Sequence, residues 1–194
     1  MRLALFGGTF DPPHLGHWLM AVDAFEALAL DRLVFVPAAQ QPLKQGQVQA
    51  PPADRLAMVA AMAAGDPRFA VDPIEIDRAG LSYTVDTLAT YRQQPGVSEL
   101  FFLVGADVLA SFDRWREPDR VLELATLVVL RRDADRVELP PGLRARVLDT
   151  RRIDISSTEI RARLRAGRSI RGFVPEPVEA HLSTTGLYRQ GTTC

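Results

Sequence analysis

Two histidines three residues apart, His14 and His17, follow a pair of glycines, Gly7 and Gly8, in the stretch FGGTFDPPHLGH (6–17). Glycines let a backbone come close to a ligand, and Pro12-Pro13 fixes a turn without offering a donor. A helix beginning near His14 leaves its first N–H groups unpaired and the positive end of its dipole exposed. Glycine turn, helix start and imidazoles together describe a seat for a polyanion, most simply phosphate. The stretch is neither a P-loop, which needs GxxxxGK[ST], nor a GxGxxG dinucleotide fingerprint. His14 and His17 are also spaced as a metal pair, but no third ligand is apparent nearby and the single cysteine, Cys194, is the last residue.

A second candidate seat is ISSTEIR (155–161). With Ser156 as N-cap, Glu159 falls at N3, the pattern of a capping box and an ordinary way to start a helix. Hydroxyls on Ser157 and Thr158, the helix amides and Arg161 would also suit phosphate oxygens. Two anion-binding helix starts in one small protein suggest a triphosphate, or two phosphorylated ligands meeting. The only lysine among 23 basic residues, Lys44, lies in a loop rather than on a helix face.

The elements that must position these groups alternate. An apolar strand at 2–6 leads to a helix at 14–29 with Leu15, Leu19, Val22, Phe25 and Leu28 at helical spacing. A strand at 33–37 follows, then a long aperiodic loop, 38–52, and a helix at 53–64 with Leu56, Met58, Val59 and Met62 for the core. Loops of that length in compact domains are usually functional or disordered. A strand is expected around 69–77, at an edge or a bulge because Pro73 interrupts it. Next come a helix at 82–93 capped by Ser82, an apolar strand at 100–104 that reads as buried on both faces, a short helix after Asp107, and a buried strand at 126–130. A weak strand near 146–149 and helices near 156–166 and 176–183 close the chain. This order predicts one α/β domain over 1–194, a Rossmann-like doubly wound parallel sheet with a C-terminal helical part from about 156. Ligands of such sheets bind beyond the carboxyl ends of the strands, where FGGTFDPPHLGH lies.

Composition excludes several classes. The chain is 47% hydrophobic and 24% charged, ordinary for a protein able to bury a core, and no apolar run approaches the length of a membrane span. The N-terminal apolar stretch is too short for a signal peptide, so a cytoplasmic location is expected. A lone cysteine excludes an internal disulfide, and a net charge of −1 gives no sign of nucleic-acid binding. Between Arg144 and Arg171 nine arginines face only Asp149, Asp154 and Glu159, the pattern of a solvated basic face.

These motifs resemble a known group. GGTFDPPHLGH with ISSTEIR is similar to the HxGH nucleotidyltransferase superfamily, and nearly the whole chain resembles the bacterial nicotinate-nucleotide adenylyltransferases. The supporting segments, in family order, are PLK (42–44), DRL (54–56), SYTVDT (82–87), FFLVGAD (101–107), FDRW (112–115) and VPEPVEAHLSTTGLY (174–188). The resemblance implies transfer of AMP from ATP to nicotinate mononucleotide, giving deamido-NAD and pyrophosphate, with Mg2+ expected through the ATP phosphates and no protein metal ligand assigned. It assigns His14, His17, Lys44 and Arg161 to catalysis on the phosphates. ATP would also meet Gly7, Gly8, Thr9 and Phe10 from the turn, Ser156 and Ser157 from the second seat, and Asp107 through ribose hydroxyls. Tyr83, Thr84 and Trp115, with Asp107, would receive nicotinate mononucleotide. Arg116 stands where relatives can carry an aromatic residue, and reads either as an extra carboxylate contact or as a solvent-facing side chain. No nucleic-acid or membrane partner is implied, and a homo-oligomer is compatible. Rival readings are transfer to a phosphopantetheine-like acceptor, disfavoured by Trp115 and SYTVDT, and a non-catalytic nucleotide sensor, disfavoured by the full set of phosphate-binding residues.

Overall fold

The computed structural model describes residues 1–44, 46, 49–131, 139–140 and 142–189, with the side chains of Lys44 and Asp107 outside that description. Cys194 lies outside the described residues. Six strands form one parallel sheet: β1 (Arg2–Gly8), β2 (Arg32–Pro37), β3 (Phe69–Val71), β4 (Glu99–Gly105), β5 (Thr126–Arg131) and β6 (Ala145–Asp149). Their order is β3-β2-β1-β4-β5-β6, and each neighbouring pair is parallel. The direction of winding reverses between β1 and β4, which leaves a crevice at the carboxyl ends of those two strands.

Alternate strand residues feed two cores. Ala4 and Phe6 of β1 and Phe101 and Leu103 of β4 join one cluster with α1 (Leu15–Ala27), α2 (Pro52–Ala63), α6 (Ser157–Arg165) and α7 (Glu176–Thr185). Leu3, Leu5, Leu100, Phe102 and Val104 join the other with α4 (Thr84–Arg92) and α5 (Pro118–Leu124). The sheet is therefore doubly wound, as expected, because strands apolar on both faces need cover on both. The helices after 156 belong to the first core through Ile160, Leu164, Val178 and Leu182.

Several local expectations change. The strand foreseen over 69–77 stops at Val71, and Ile74–Arg78 forms the short helix α3. Asp72 accepts the amide of Ile74 through Oδ1 at 2.9 Å and Pro73 sits at the N-cap, so the acidic segment turns rather than extends. The edge position foreseen for this strand holds. Helix α4 starts at Thr84, with Tyr83 as N-cap, and Ser82 does not cap it. Its hydroxyl accepts the amide of Ala39 at 2.9 Å and ties the long loop to the segment that leads into α4. After β4 the chain makes a 3-10 run, Ala106–Arg114, and the segment beyond Trp115 contains α5, begun by Pro118. In α1 the deepest stripe is Met20, Ala21, Ala24 and Leu28, while Leu15 and Leu19 are half-buried. The two alanines let the helix lie close on the sheet, a choice that side-chain size made and hydrophobic spacing concealed. In α2 the buried face includes Arg55, 1% exposed.

Candidate active site at the switch point

The turn after β1 is shaped by what glycines leave open. A Cβ on Gly8 would stand 2.9 Å from the Phe10 ring, and one on Gly16 would stand 2.9 Å from Nδ1 of His14. Phe10 adopts φ +52°, a left-handed conformation that ordinary side chains avoid, and its ring is 2% exposed. Gly16 thus makes room for the His14 ring, which is buried and lies 3.8 Å, centroid to centroid, from the ring of His17. Nδ1 of His17 accepts the His14 amide at 3.3 Å. An accepting Nδ1 places the proton of a neutral imidazole on Nε2, so His17 offers a donor at the helix start.

The second seat docks onto the first. Ser156 caps α6 as foreseen, accepting the amide of Glu159 at 3.1 Å. Ser157 Oγ donates to the Pro12 carbonyl at 2.8 Å and Arg161 Nη1 donates to the Asp11 carbonyl at 2.7 Å. Thr158 accepts Arg161 Nη2 at 3.3 Å. Neither Ser157 nor Thr158 is therefore the free hydroxyl that the sequence suggested: Ser157 joins α6 to the turn that feeds α1, and Thr158 accepts Arg161 within α6. The gain is position, since the starts of α1 and α6 converge at one end of the sheet. Thr9 Oγ1 and Arg161 Nε are buried there without a hydrogen-bond partner among the described residues. Such orphaned polar atoms are costly unless something pairs with them.

Asp11 is the hub of this junction, and composition gave no signal for it beyond its place in the motif. It is 4% exposed. Its Oδ1 accepts Tyr188 Oη at 2.6 Å and the Ala50 amide at 3.0 Å, while Oδ2 accepts the Gln49 amide at 3.0 Å and lies 3.7 Å from Arg161 Nη1. Burial pushes the Tyr188 hydroxyl well above its ordinary range, with the Asp11 bond adding to it, so it remains a donor. Arg55 braces the same junction from below, donating to the carbonyls of Thr9 at 2.7 Å, Ala39 at 3.0 Å and Ala50 at 3.3 Å. Burial lowers its pKa, a penalty that the nearby Asp11 partly offsets. Both residues carry a second signal that is visible only in hindsight: Asp11 and Arg55 sit inside the family segments GGTFDPPHLGH and DRL.

Beside the two helix starts a cavity of about 210 Å³ opens between β1, β4 and the long loop. Gly7, Gly8, Tyr83, Thr84, Trp115 and Arg116 all line it, so the turn, the start of α4 and the tryptophan segment share one space. Trp115 is half-buried, with its ring 5.2 Å from Phe112 and 6.1 Å from Phe102. Arg116 stacks over Tyr83 at 4.8 Å and lies 3.5 Å from both Asp86 and Glu117, so it belongs to the rim of the cavity. The backbone of Asp107 follows β4 at the same end of the sheet, and Lys44 ends a short 3-10 turn, Pro42–Lys44, whose Pro42 and Leu43 line the cavity. Among the described residues, no group of three or more His, Cys, Asp and Glu could hold a metal ion, and no helix is long and apolar enough to cross a membrane.

Known proteins resemble both the sequence and the fold. A family model described as cytidylyltransferase-like matches residues 5–163. A relative from Gemmatimonas aurantiaca named probable nicotinate-nucleotide adenylyltransferase is 52% identical, covering 98% of this chain and 93% of its own. One of the same name from Thermus thermophilus is 48% identical, over 97% of this chain and 100% of its own. Among solved structures, a Plasmodium falciparum nicotinic acid mononucleotide adenylyltransferase complexed with NaAD has the same fold at a TM-score of 0.78. It is 16% identical, and the match covers 96% of this chain and 97% of that one.

Proposed function

The chain belongs to the cytidylyltransferase-like family and to the nicotinate-nucleotide adenylyltransferases within it, and from that premise we propose how its residues carry the reaction. The enzyme joins ATP and nicotinate mononucleotide to give deamido-NAD and pyrophosphate, a step of NAD biosynthesis. The observation that carries the assignment of roles is the docking of α6 on the turn before α1, through Ser157 to Pro12 and Arg161 to Asp11. It brings the two helix starts together at one end of the sheet, which supports a shared role on one phosphate chain.

The nucleophile comes from the substrate. A phosphate monoester has its second pKa near 6, so the 5′-phosphate of the mononucleotide is largely dianionic at neutral pH and needs no general base. The protein must instead align two mutually repelling anions and stabilise charge on the α-phosphate and on the leaving pyrophosphate. On this reading His17 donates from Nε2 to the triphosphate, and His14 packs beneath it to fix its ring. Arg161 and the amides of α6, capped by Ser156, hold the phosphates from the other side, and Lys44 reaches them from the loop. Gly7, Gly8, Thr9 and Phe10 bring backbone close to ATP, and Asp107 takes ribose hydroxyls. A divalent cation accompanies ATP, and we assign it as Mg2+. When bound, it would spread the charge of the phosphates that it accompanies. Transfer in the cytoplasm fits these substrates.

Nicotinate mononucleotide would place its ring on Trp115, where stacking and cation–π attraction act together. Its carboxylate would meet the Thr84 hydroxyl, acting as a donor, and the first amides of α4, which can only donate. An amide substituent would turn its own NH₂ toward some of them. Pyrophosphate release measured with ATP and either mononucleotide tests the reading. The acid is expected to be used far better than the amide, and equal kcat/KM values would refute acid selectivity. No release with either mononucleotide would refute the substrate assignment.

A further inference from the structure

Glu75 lines the same cavity and is 8% exposed, yet nothing in the reaction above uses it. Helix α3, which the sequence hid behind a strand, is what carries it into the wall. Thr87 Oγ1 donates to Glu75 Oε1 at 2.7 Å and itself accepts Arg78 Nη2 at 3.1 Å. With its oxygen engaged by arginine, the one proton of that hydroxyl is directed at the carboxylate. Ser82 stands beside it in the wall: its hydroxyl accepts the Ala39 amide at 2.9 Å, and its presence favours the charged form of Glu75. A relay from Arg78 through Thr87 thus ends on Glu75, which is the arrangement that suits a carboxylate anion. Among the described residues Glu75 makes no ion pair, and burial pushes its carboxyl above the usual range. A buried carboxylate supplied with hydroxyl donors and only the more distant charge of Arg78 is incompletely compensated until a cation arrives.

We infer that Glu75 recognises the positive charge of the pyridinium ring when the mononucleotide lies in this cavity, an inference that rests on the substrate reading above. The ring nitrogen is quaternary: it carries a fixed charge, has no proton to donate and can be selected only by Coulombic attraction, which strengthens where water is excluded. Charges in the wall are sorted accordingly. Arg114 and Arg116 line the cavity and bear the sign that suits the carboxylate substituent, while Glu75 bears the sign that suits the ring. Asp86 and Glu117 hold Arg116, and Arg78 reaches Glu75 only through Thr87.

The test is a titration of wild-type protein with nicotinate mononucleotide and with an isostere in which carbon replaces the ring nitrogen, a 3-carboxyphenyl C-ribonucleoside 5′-phosphate. Wild type is expected to prefer the charged ring by about tenfold or more. Glu75→Gln should lose most of that preference while binding the neutral isostere as wild type does, and Glu75→Asp, which keeps the charge, should retain it. Unchanged discrimination in Glu75→Gln, absence of discrimination in wild type, or equal loss in both variants would overturn the inference. Absent pyrophosphate release by wild type would strike the substrate reading instead, so the two failures are distinguishable.

Discussion

The proposed phosphate seat and the proposed ring cavity lie at the same end of the sheet, but they are assembled differently. The seat is written almost entirely in one contiguous stretch, Gly7 to His17, and one helix start, Ser156 to Arg161, bolted to it by short polar contacts. Asp11 and Arg55 sit under it and are nearly inaccessible. The cavity draws on the long loop, α3, α4, the end of β4 and the tryptophan segment, and its lining mixes buried residues such as Glu75 and Phe102 with half-buried Tyr83 and Trp115 and exposed Arg114 and Arg116. Phosphate is the same in every nucleotide, so a rigid seat built from backbone and a few fixed side chains can hold it. A ring must be told apart from other rings, and that calls for surface gathered from distant segments. Damage to the seat should therefore appear in stability and turnover, and damage to the cavity in affinity for one substrate.

The largest expected effect is on the hub. Asp11→Ala removes the acceptor shared by Tyr188, Gln49 and Ala50 and leaves Arg161 and Arg55 without their buried counter-charge. Loss of a buried charged partner costs about 3–5 kcal/mol, so denaturant melts should show a drop of that order. A change confined to kinetics would separate the hub from the fold. Next comes His17→Ala, expected to lower kcat by about 10²–10³ with the melting temperature and mononucleotide affinity unaltered. Near-normal turnover would remove His17 from the mechanism. In the cavity, Trp115→Ala should raise the KM for nicotinate mononucleotide roughly tenfold, the scale of one lost stacking platform, and leave the KM for ATP unchanged. A rise in both would blur the division between the two regions.

The smallest effect is one of stability against pH. The folded pKa of Glu75 is raised by burial above its ordinary 4.5, helped by the negative charge of Asp86 and opposed by Thr87, Ser82 and the charge of Arg78. The folded state thus holds the proton more tightly than the unfolded chain, and stability falls as pH rises from 4.5 through the folded value. Glu75→Gln has no proton to lose. It should melt slightly higher than wild type at neutral pH, with the gain vanishing below pH 4.5. A variant less stable than wild type at neutral pH would mean that the carboxylate supports the fold rather than a ligand.

The seat was legible in the sequence because its logic is local: glycines, a proline turn, a helix start and a serine cap leave periodic and compositional marks. The doubly wound sheet was legible for the same reason, since its strands read apolar on both faces. What stayed hidden depended on tertiary contact. Ser82 looks like a cap for α4 and instead ties down Ala39. Ser157 looks free and instead fastens α6 to Pro12. Glu75 alternates with Ile74 and Ile76 as in a strand, but the Asp72 turn starts a helix and buries the carboxyl in a wall that no single stretch encodes. Arg55 reads as the solvent side of α2 until three carbonyls from other segments converge on it.

Crystals grown with a non-hydrolysable ATP analogue and nicotinate mononucleotide would test the convergence of the two helix starts most directly. The phosphate chain should lie within about 2.7–3.2 Å of His17 Nε2 on one side and of Arg161 or the first amides of α6 on the other, with the pyridinium ring against Trp115. A triphosphate bound at only one of these helix starts, or away from both, would contradict it.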